Sequence, residues 1–289
     1  MCSIASVLNK QGIYAKALTK YEIAEAGQKK AVGDTHPATL EAMLGKAEVH
    51  HNMGKLEQSS SLYREVMDKL KELEKGRDGR SVQGVTSGVQ RRDYRHPMML
   101  MATYGMGRVR ESEKMYNEAF RFYDDAREGW ESSLGKGHTL ALMAELGSGR
   151  ILQKRKQYRN ALDVYNRIWL DMTRPDHPLR NEQPLRMEHP LRYETACSKG
   201  SVLFEMHRYG QAEASYEEAL GGLRQILGDD HPVTLRAMQG KADVLEKRED
   251  YRDALKLYRT VATGLRDKLG DQHPDTIQCL KKVSSVQMR

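Results

Sequence analysis

Histidine is the side chain of this sequence with the most obvious capacity for chemistry, because a neutral imidazole binds metal ions and moves protons near neutral pH. Six of the ten histidines open similar segments that lie 42 to 60 residues apart, a spacing too wide and regular for one ligand set. His50 and His51 are adjacent, so on a helix they would point to different sides. No carboxylate or cysteine joins them at ligand spacing. We therefore expect no metal site.

Two Gly-x-Gly sequences within the repeats could be considered as phosphate loops. Gly105-Met106-Gly107 and Gly147-Ser148-Gly149 are not preceded by a strand-like run, which a nucleotide-binding loop requires. The sequence contains no Walker motif, no nucleophile elbow and no HExxH metalloprotease motif. These observations predict a chain that is not an enzyme and that holds no cofactor.

Cysteine usage and hydropathy indicate the compartment. Cys2, Cys197 and Cys279 are far apart and odd in number, which is typical of unpaired thiols in a reducing environment. The longest apolar run, residues 98–102, is far shorter than the roughly 20 residues of a membrane-spanning helix. The N-terminus lacks the charged region of a signal peptide. We expect a cytoplasmic protein with no membrane partner.

The net charge of +7 is concentrated in one segment. Residues 75–95 contain six cations and two anions, whereas the rest of the chain has 41 cations and 38 anions. A charge cluster in a Gly- and Ser-rich segment is a weak indication of nucleic-acid binding. Nucleic acid is therefore not the expected partner.

The histidine segments mark an internal repeat of 42 residues. An anchor histidine, followed by proline in five of six cases, stands at His36, His96, His138, His189, His231 and His273. Tyrosine recurs 20 and 27 residues after these anchors, and alanine recurs 23 residues after them. Together with Tyr14 and Tyr21, which fit the same frame before His36, these positions contain eleven of the fourteen tyrosines, so the repeat is not accidental.

Each repeat is predicted to form two helices. Proline directly after the anchor suits the first turn of a helix, where its missing N–H costs nothing. The first helix of the last full repeat carries an apolar stripe at helical spacing, formed by Leu235, Met238, Ala242 and Leu245. A second helix is expected from Tyr251. The predicted fold is all-α, a right-handed superhelical α-solenoid of antiparallel helix pairs.

The recurring tyrosine and alanine positions resemble those of the tetratricopeptide repeat. The 42-residue period with His-Pro-x-Thr-Leu is similar to the kinesin light chain form of that repeat. The resemblance covers nearly the whole chain. It implies a protein-interaction scaffold or adaptor that holds a partner segment in a concave groove. Kinesin light chain repeats carry paired asparagines eight and nine residues after the anchor. This chain instead has Leu44-Gly45, Tyr104-Gly105, Leu146-Gly147, Cys197-Ser198 and Gln239-Gly240.

The resemblance also places the groove on the first helix of each repeat, at positions five, eight, twelve and sixteen after the anchor. In the middle of the chain these positions are apolar or cationic: Met101, Tyr104, Arg108, Met143, Leu146, Arg150 and Lys154. Methionine adapts to varied partners, and arginine and tyrosine are common anchors of binding. We expect a peptide with an apolar anchor whose acidic flanks meet Arg108 and Arg150. The alternative is that the apolar members pack on neighbouring helices.

The repeat frame divides residues 1–289 into one array. A partial repeat, 1–35, precedes full repeats at 36–95, 96–137, 138–188, 189–230 and 231–272, and a half repeat, 273–289, follows. Insertions occupy 75–95, expected to be a flexible basic loop, and 174–188, which is rich in Pro and Arg. The partial repeats suggest a segment of a longer protein, or ends capped by an unusual route.

Two other functions fit the same repeats. The array could be a regulatory or sensor domain of a larger NTPase-linked (NLR-like) protein and pack against a neighbouring domain of that chain. It could also be an RNA-binding helical repeat. A groove for RNA should be basic throughout, whereas Glu41, Glu48, Glu194 and Asp243 interrupt this one.

Limited proteolysis tests the predicted loop. Trypsin should cut first between residues 75 and 95, which offer six basic sites and few apolar residues that could anchor the segment. Mass spectrometry of the first fragments gives the cleavage site. First cleavage within 231–270, with 75–95 intact, would show that the loop is placed wrongly.

Overall fold

The computed structural model describes residues 2–78, 96–173 and 190–289, and in these ranges the chain is helical with no strand. The all-α repeat fold predicted from the sequence is confirmed. None of the described helices is both long and apolar enough to cross a membrane. The helices are α1 (Cys2–Lys10), α2 (Tyr14–Val32), α3 (Pro37–Asn52), α4 (Leu56–Asp78), α5 (Pro97–Ser112), α6 (Tyr116–Leu134), α7 (Thr139–Lys154), α8 (Tyr158–Thr173), α9 (Pro190–Glu205), α10 (Tyr209–Leu227), α11 (Pro232–Lys247), α12 (Tyr251–Leu269) and α13 (Pro274–Gln287).

The helices form two compact units, residues 1–151 and 152–289, and the boundary between these ranges falls within α7. In the first unit the core is built from the apolar stripes of α2 to α7, with Leu40, Met43 and Leu100 almost fully buried. In the second unit, α8 to α13 surround a core that includes Leu235 and Met238. The stripe predicted for the last full repeat is therefore buried.

Helix starts follow the repeat frame. The anchor proline is the first residue of α3, α5, α9, α11 and α13, and the tyrosine twenty residues after the anchor is the first residue of α6, α8, α10 and α12. The predicted insertions lie mostly in residues 79–95 and 174–189, outside the described ranges. Residues 75–78, assigned to the first loop by the sequence, are the last turn of α4, so that boundary was placed too early.

The anchor histidine caps the first helix. Its Nδ1 accepts a hydrogen bond from the backbone N–H two residues ahead, at 3.2 Å for His36, His96, His231 and His273 and at 3.3 Å for His138. A capping acceptor satisfies one of the N–H groups that the first turn leaves unpaired. This capping role explains the recurrence of histidine, which is usually considered for metal or acid–base chemistry.

The turn between the two helices of a repeat uses a left-handed residue eighteen positions after the anchor. Gly54 occupies it in one repeat, but Lys114, Lys156, His207 and Glu249 adopt the same conformation with φ between 58° and 66°. Side chains other than glycine are strained there by about 1–2 kcal/mol. The turn has a fixed geometry that the chain accepts at this cost.

A tyrosine of the second helix fits against glycines of two first helices. Tyr123 is fully buried, and a Cβ atom built on Gly107 or Gly147 would lie 2.9 or 2.8 Å from its ring. Gly107 belongs to the same repeat as Tyr123, and Gly147 belongs to the next. The ring of Tyr63 fills the corresponding space at Gly105. We call this arrangement the tyrosine socket.

The tyrosine socket accounts for the absence of asparagine at four of the positions that lie nine residues after an anchor. At Gly45, Gly105, Gly147 and Gly240 the space that a side chain would enter is filled by the tyrosine of the preceding repeat. A side chain at these glycines would have to displace a buried ring, so the asparagine pair of the kinesin light chain form is sterically incompatible with the packing there. The same position holds Ser198 and Lys282 in two other repeats, so glycine is not required throughout.

Replacing Gly105 with Ala should destabilise the chain by about 1–3 kcal/mol, because the added methyl group would overpack the Tyr63 ring. Gly27→Ala is the matched control: Gly27 also lies inside a helix of the first unit, and a Cβ there meets nothing within 4 Å. This control should stabilise the helix by about 0.5–1 kcal/mol. Urea unfolding followed by circular dichroism measures both changes, and equal effects of the two substitutions would contradict the socket.

Candidate functional site

The first unit contains a depression of about 560 Å³ between the first helices of its repeats. We call this depression the groove. Its rim and walls come from α1, α3, α5 and α7, and tyrosines of α2 and α4 and a tryptophan of α6 complete its lining. The lining residues are Cys2, Ser3, Ser6, Tyr21, Glu41, Leu44, Gly45, Glu48, Tyr63, Met101, Tyr104, Gly105, Arg108, Trp130, Leu140 and Met143. Most of them are apolar or aromatic, with few charged groups, which is the usual character of a ligand pocket.

Four of the predicted site residues line the groove: Met101, Tyr104, Arg108 and Met143. Met101 is 48% exposed, an unusual exposure for a large apolar side chain on a helix that is otherwise packed. Tyr104 is half-buried, with its ring 5.6 Å from Tyr123 and 5.7 Å from Trp130 between centroids. The groove therefore has an accessible apolar rim above an aromatic cluster.

The prediction that Leu146 offers exposed apolar surface is wrong. Its side chain is only 2% exposed and does not line the groove. Cys197, eight residues after its own anchor as Leu146 is, is buried too. Leu44 and Tyr104 occupy the same position and line the groove, so the packing alternative holds for Leu146 but not for the position as a whole. Lys154, at the end of α7, is exposed but belongs to the second unit.

Arg108 joins α5 to α3 on the wall of the groove. Its guanidinium donates to Glu48 Oε1 and to Asn52 Oδ1, both at 3.2 Å. The backbone oxygen of Arg108 lies 3.3 Å from His51 Nε2, which also lies 3.1 Å from the Ser112 hydroxyl. The positive charge of Arg108 is thus compensated by a carboxylate of the neighbouring repeat.

Arg150 does not line the groove and is held by Glu111. Its Nε and one terminal nitrogen donate to the two carboxylate oxygens of Glu111, each at 3.1 Å. The Tyr123 hydroxyl donates to the same carboxylate at 2.6 Å, and the Arg150 guanidinium lies 5.9 Å from the centre of the Tyr123 ring. Burial alone would lower the pKa of Arg150, but Glu111 and Tyr123 raise it well above its ordinary value. A two-pronged pair of this kind fixes the geometry of both groups.

The floor of the groove is the part that sequence reasoning did not assign to the site. The rings of Tyr21 and Tyr63 lie over Gly45 and Gly105, and all four residues line the groove. Because these glycines have no side chain, the edges of the two rings border the groove, although Tyr21 and Tyr63 are only 5% and 4% exposed. The regular recurrence of tyrosine in the sequence predicts that these rings are packed. It does not predict which ring edges border the groove.

The charge of the groove is slightly negative. Glu48 and Arg108 neutralise each other, while the exposed Glu41 has no ion pair among the described residues. Within those residues, no three histidine, cysteine or acidic side chains cluster closely enough to hold a metal ion. The geometry of the groove suits an apolar group that enters between Met101 and Met143.

The sequence matches the tetratricopeptide repeat family model in three stretches, residues 1–72, 99–168 and 192–267, which together span most of its length. The chain belongs to the tetratricopeptide repeat family. No curated protein sequence matches it closely enough to count as a relative.

Solved structures of other tetratricopeptide-type proteins share this fold at low sequence identity. A Podospora anserina protein described as a kinesin light chain with nearly identical TPR-like repeats is 15% identical, with a TM-score of 0.53 over 81% of this chain and 98% of that one. BtubC (BKLC) from P. vanneervenii is 14% identical, with a TM-score of 0.61 over 90% and 94%. NprR in complex with its cognate peptide NprX is 14% identical, with a TM-score of 0.61 over 99% and 76%.

His50 and His51 should make this tetratricopeptide repeat chain less stable in mild acid. Burial lowers the pKa of both from the ordinary value, and Lys55 near His50 and Arg108 near His51 lower it further. The unfolded chain then binds protons that the folded chain excludes, so the stabilising contribution is present above about pH 6.5 and is lost as the pH falls below it. Urea unfolding at pH 7.5, 6.5 and 5.5 should show the free energy of unfolding decreasing.

Two variants separate this effect from general acid destabilisation. His51→Gln should flatten the pH dependence, whereas His207→Gln, an exposed position in the second unit, should leave it unchanged. A His51→Gln curve parallel to that of the wild type would mean that other groups carry the pH dependence.

Proposed function

We propose that the chain is a protein-interaction module, without catalytic activity, whose groove binds a peptide segment of a partner through an apolar anchor. The observation that carries this proposal is the groove itself, which the exposed Met101 and the half-buried Met143 and Tyr104 line together with buried aromatic rings. A volume of about 560 Å³ lies within the range of roughly 300–1,000 Å³ common for ligand pockets. It is large enough for one or two bulky side chains of a peptide.

The chemistry of the groove wall supports an apolar anchor. Methionine is flexible and polarizable, so Met101 and Met143 can adapt to aliphatic or aromatic groups. The half-buried ring of Tyr104 offers an apolar face, and a tyrosine side chain loses little conformational entropy when a ligand binds. That NprR binds its cognate peptide NprX agrees with a peptide ligand for this fold.

Recognition in this groove should depend on the anchor and not on acidic flanks. Arg108 and Arg150, from which the sequence predicts an acidic partner, already pair with Glu48 and Glu111. Acidic residues of a ligand would have to displace these carboxylates, and they would approach the exposed Glu41. The carboxylates of the groove also oppose a phosphate backbone, which disfavours RNA.

The test uses labelled nonapeptides with a central Leu or Trp in a Ser/Gly background, compared with the same peptide carrying Ala. Fluorescence anisotropy should show tighter binding of the anchor peptides, and Met101→Asp should weaken it at least tenfold because the rim would become charged. Leu134→Asp is the matched control: Leu134 is 49% exposed, close to the 48% of Met101, and lies in the same unit outside the groove. Equal losses in both variants, or no preference for Leu or Trp over Ala, would refute the proposal.

The same assay decides the role of charge. Peptides with Asp or Glu flanks should bind no more tightly than neutral ones. If acidic flanks strengthen binding and Arg108→Ala removes that gain, Arg108 exchanges its Glu48 partner for the ligand and the acidic preference is real. Circular dichroism of each variant shows that helicity is retained.

A further inference from the structure

The second unit has an open depression of about 470 Å³ beside the turn between α7 and α8. It is lined by Lys156, Gln157, Tyr158, Arg159, Asn160 and Met206. Together with Lys154, at the end of α7, these residues form what we call the basic depression. All of them belong to the unit that begins at residue 152, so the basic depression is separate from the groove.

Three cations dominate this surface. Lys154, Lys156 and Arg159 are exposed, and none of them has an ion pair with a carboxylate among the described residues. Lys241 and Lys256 of the same unit differ, since each has a carboxylate at 2.8 Å. The basic depression thus concentrates positive charge that the unit leaves uncompensated.

The fold does not require these cations. They stand sixteen, eighteen and twenty-one residues after the anchor His138. The equivalent residues are Asn52, Gly54 and Glu57 in one repeat, Ser112, Lys114 and Asn117 in the next, Glu205, His207 and Gly210 in a third, and Lys247, Glu249 and Arg252 in a fourth. Only one repeat has a cation at all three positions, although all share the same turn. Because the turn is common to all the repeats, it does not explain why the three cations occur together in only one of them. We attribute the cluster to a function other than packing.

We propose that the basic depression binds an acidic segment of a partner protein. Lys156 and Arg159 would meet two carboxylates of the segment, and Lys154 would extend the contact along α7. Met206 and the Tyr158 ring give the depression an apolar side, so an aliphatic residue between the acidic ones fits there. This charge stands in contrast to that of Arg108 and Arg150, the two groove arginines predicted from the sequence, which are paired with Glu48 and Glu111.

The surroundings favour a short acidic peptide over nucleic acid. Glu205 lies at the edge of the basic depression, where it accepts a hydrogen bond from the Tyr158 hydroxyl at 3.3 Å. Asp163 follows on the exposed side of α8. A nucleic-acid backbone carries regularly spaced phosphates and gains affinity from a continuous basic track. Carboxylates on both sides of three cations limit the contact to a few residues.

The probe is a fluorescein-labelled twelve-residue peptide of alternating Asp and Glu with one central Leu, measured by anisotropy at 50 and 300 mM NaCl. Wild-type binding should weaken at the higher salt concentration. Lys156→Glu with Arg159→Glu should weaken it at least tenfold at the lower one. Glutamate occurs naturally at both equivalent positions, Glu249 and Glu57, so the substitutions suit the turn and the helix start. Circular dichroism and thermal unfolding verify the fold.

The matched control reverses two charges at the corresponding turn two repeats away. Lys247→Glu with Arg252→Glu changes two exposed cations of the α11–α12 turn, at the positions equivalent to Lys154 and Arg159, and should change affinity less than threefold. A probe with Ser in place of the central Leu lacks the anchor that the groove requires, and Lys156→Glu with Arg159→Glu should weaken its binding as well, which separates the basic depression from the groove. Equal losses in both charge-reversal variants would show nonspecific attraction and overturn the proposal. Tighter, equally variant-sensitive binding of a twelve-nucleotide single-stranded RNA would also overturn it.

Discussion

A tyrosine ring enclosed by helices of two successive repeats is the contact on which the rest of the structure depends. Tyr123 illustrates it: the ring fills the space left by the missing side chains of Gly107 and Gly147. Each ring therefore links the two helices of its own repeat to the first helix of the next. Helix pairs that bury little surface alone gain stability from this contact between neighbours.

The same contact determines what the groove can recognise. Where an asparagine pair could hold the backbone of a peptide, this chain has glycine with an aromatic ring behind it, as at Gly45 and Gly105. Hydrogen-bonding amides are replaced by apolar faces. In the function that we propose, binding in the first unit depends on the burial of a ligand side chain, and the proposed charged contacts lie at the basic depression in the second unit.

The helices were predictable from sequence because the tyrosine of the socket recurs 27 residues after the anchor in every full repeat, although the residues that it packs against vary. Side-chain pairing was not predictable. The partner of Arg108 is sixty residues away in sequence, and that of Arg150 is thirty-nine away, each on a different helix. Periodicity indicates the face on which a residue lies, but the choice of partner depends on side-chain reach across the interface. Burial of Leu146 was missed for a related reason, because a helix packed on two sides has a wider buried face than one stripe suggests.

The placement of the socket also has a consequence for how such a chain can change in length. A deletion or duplication of one whole 42-residue period keeps the tyrosine of each repeat ahead of the first helix of the next repeat. The new junction therefore reproduces a contact that already exists. Both insertions precede an anchor histidine, His96 or His189, and so fall between one tyrosine and the next first helix without separating the residues within either helix. Recombination among the repeats can therefore add or remove surface while the contacts between successive repeats stay the same.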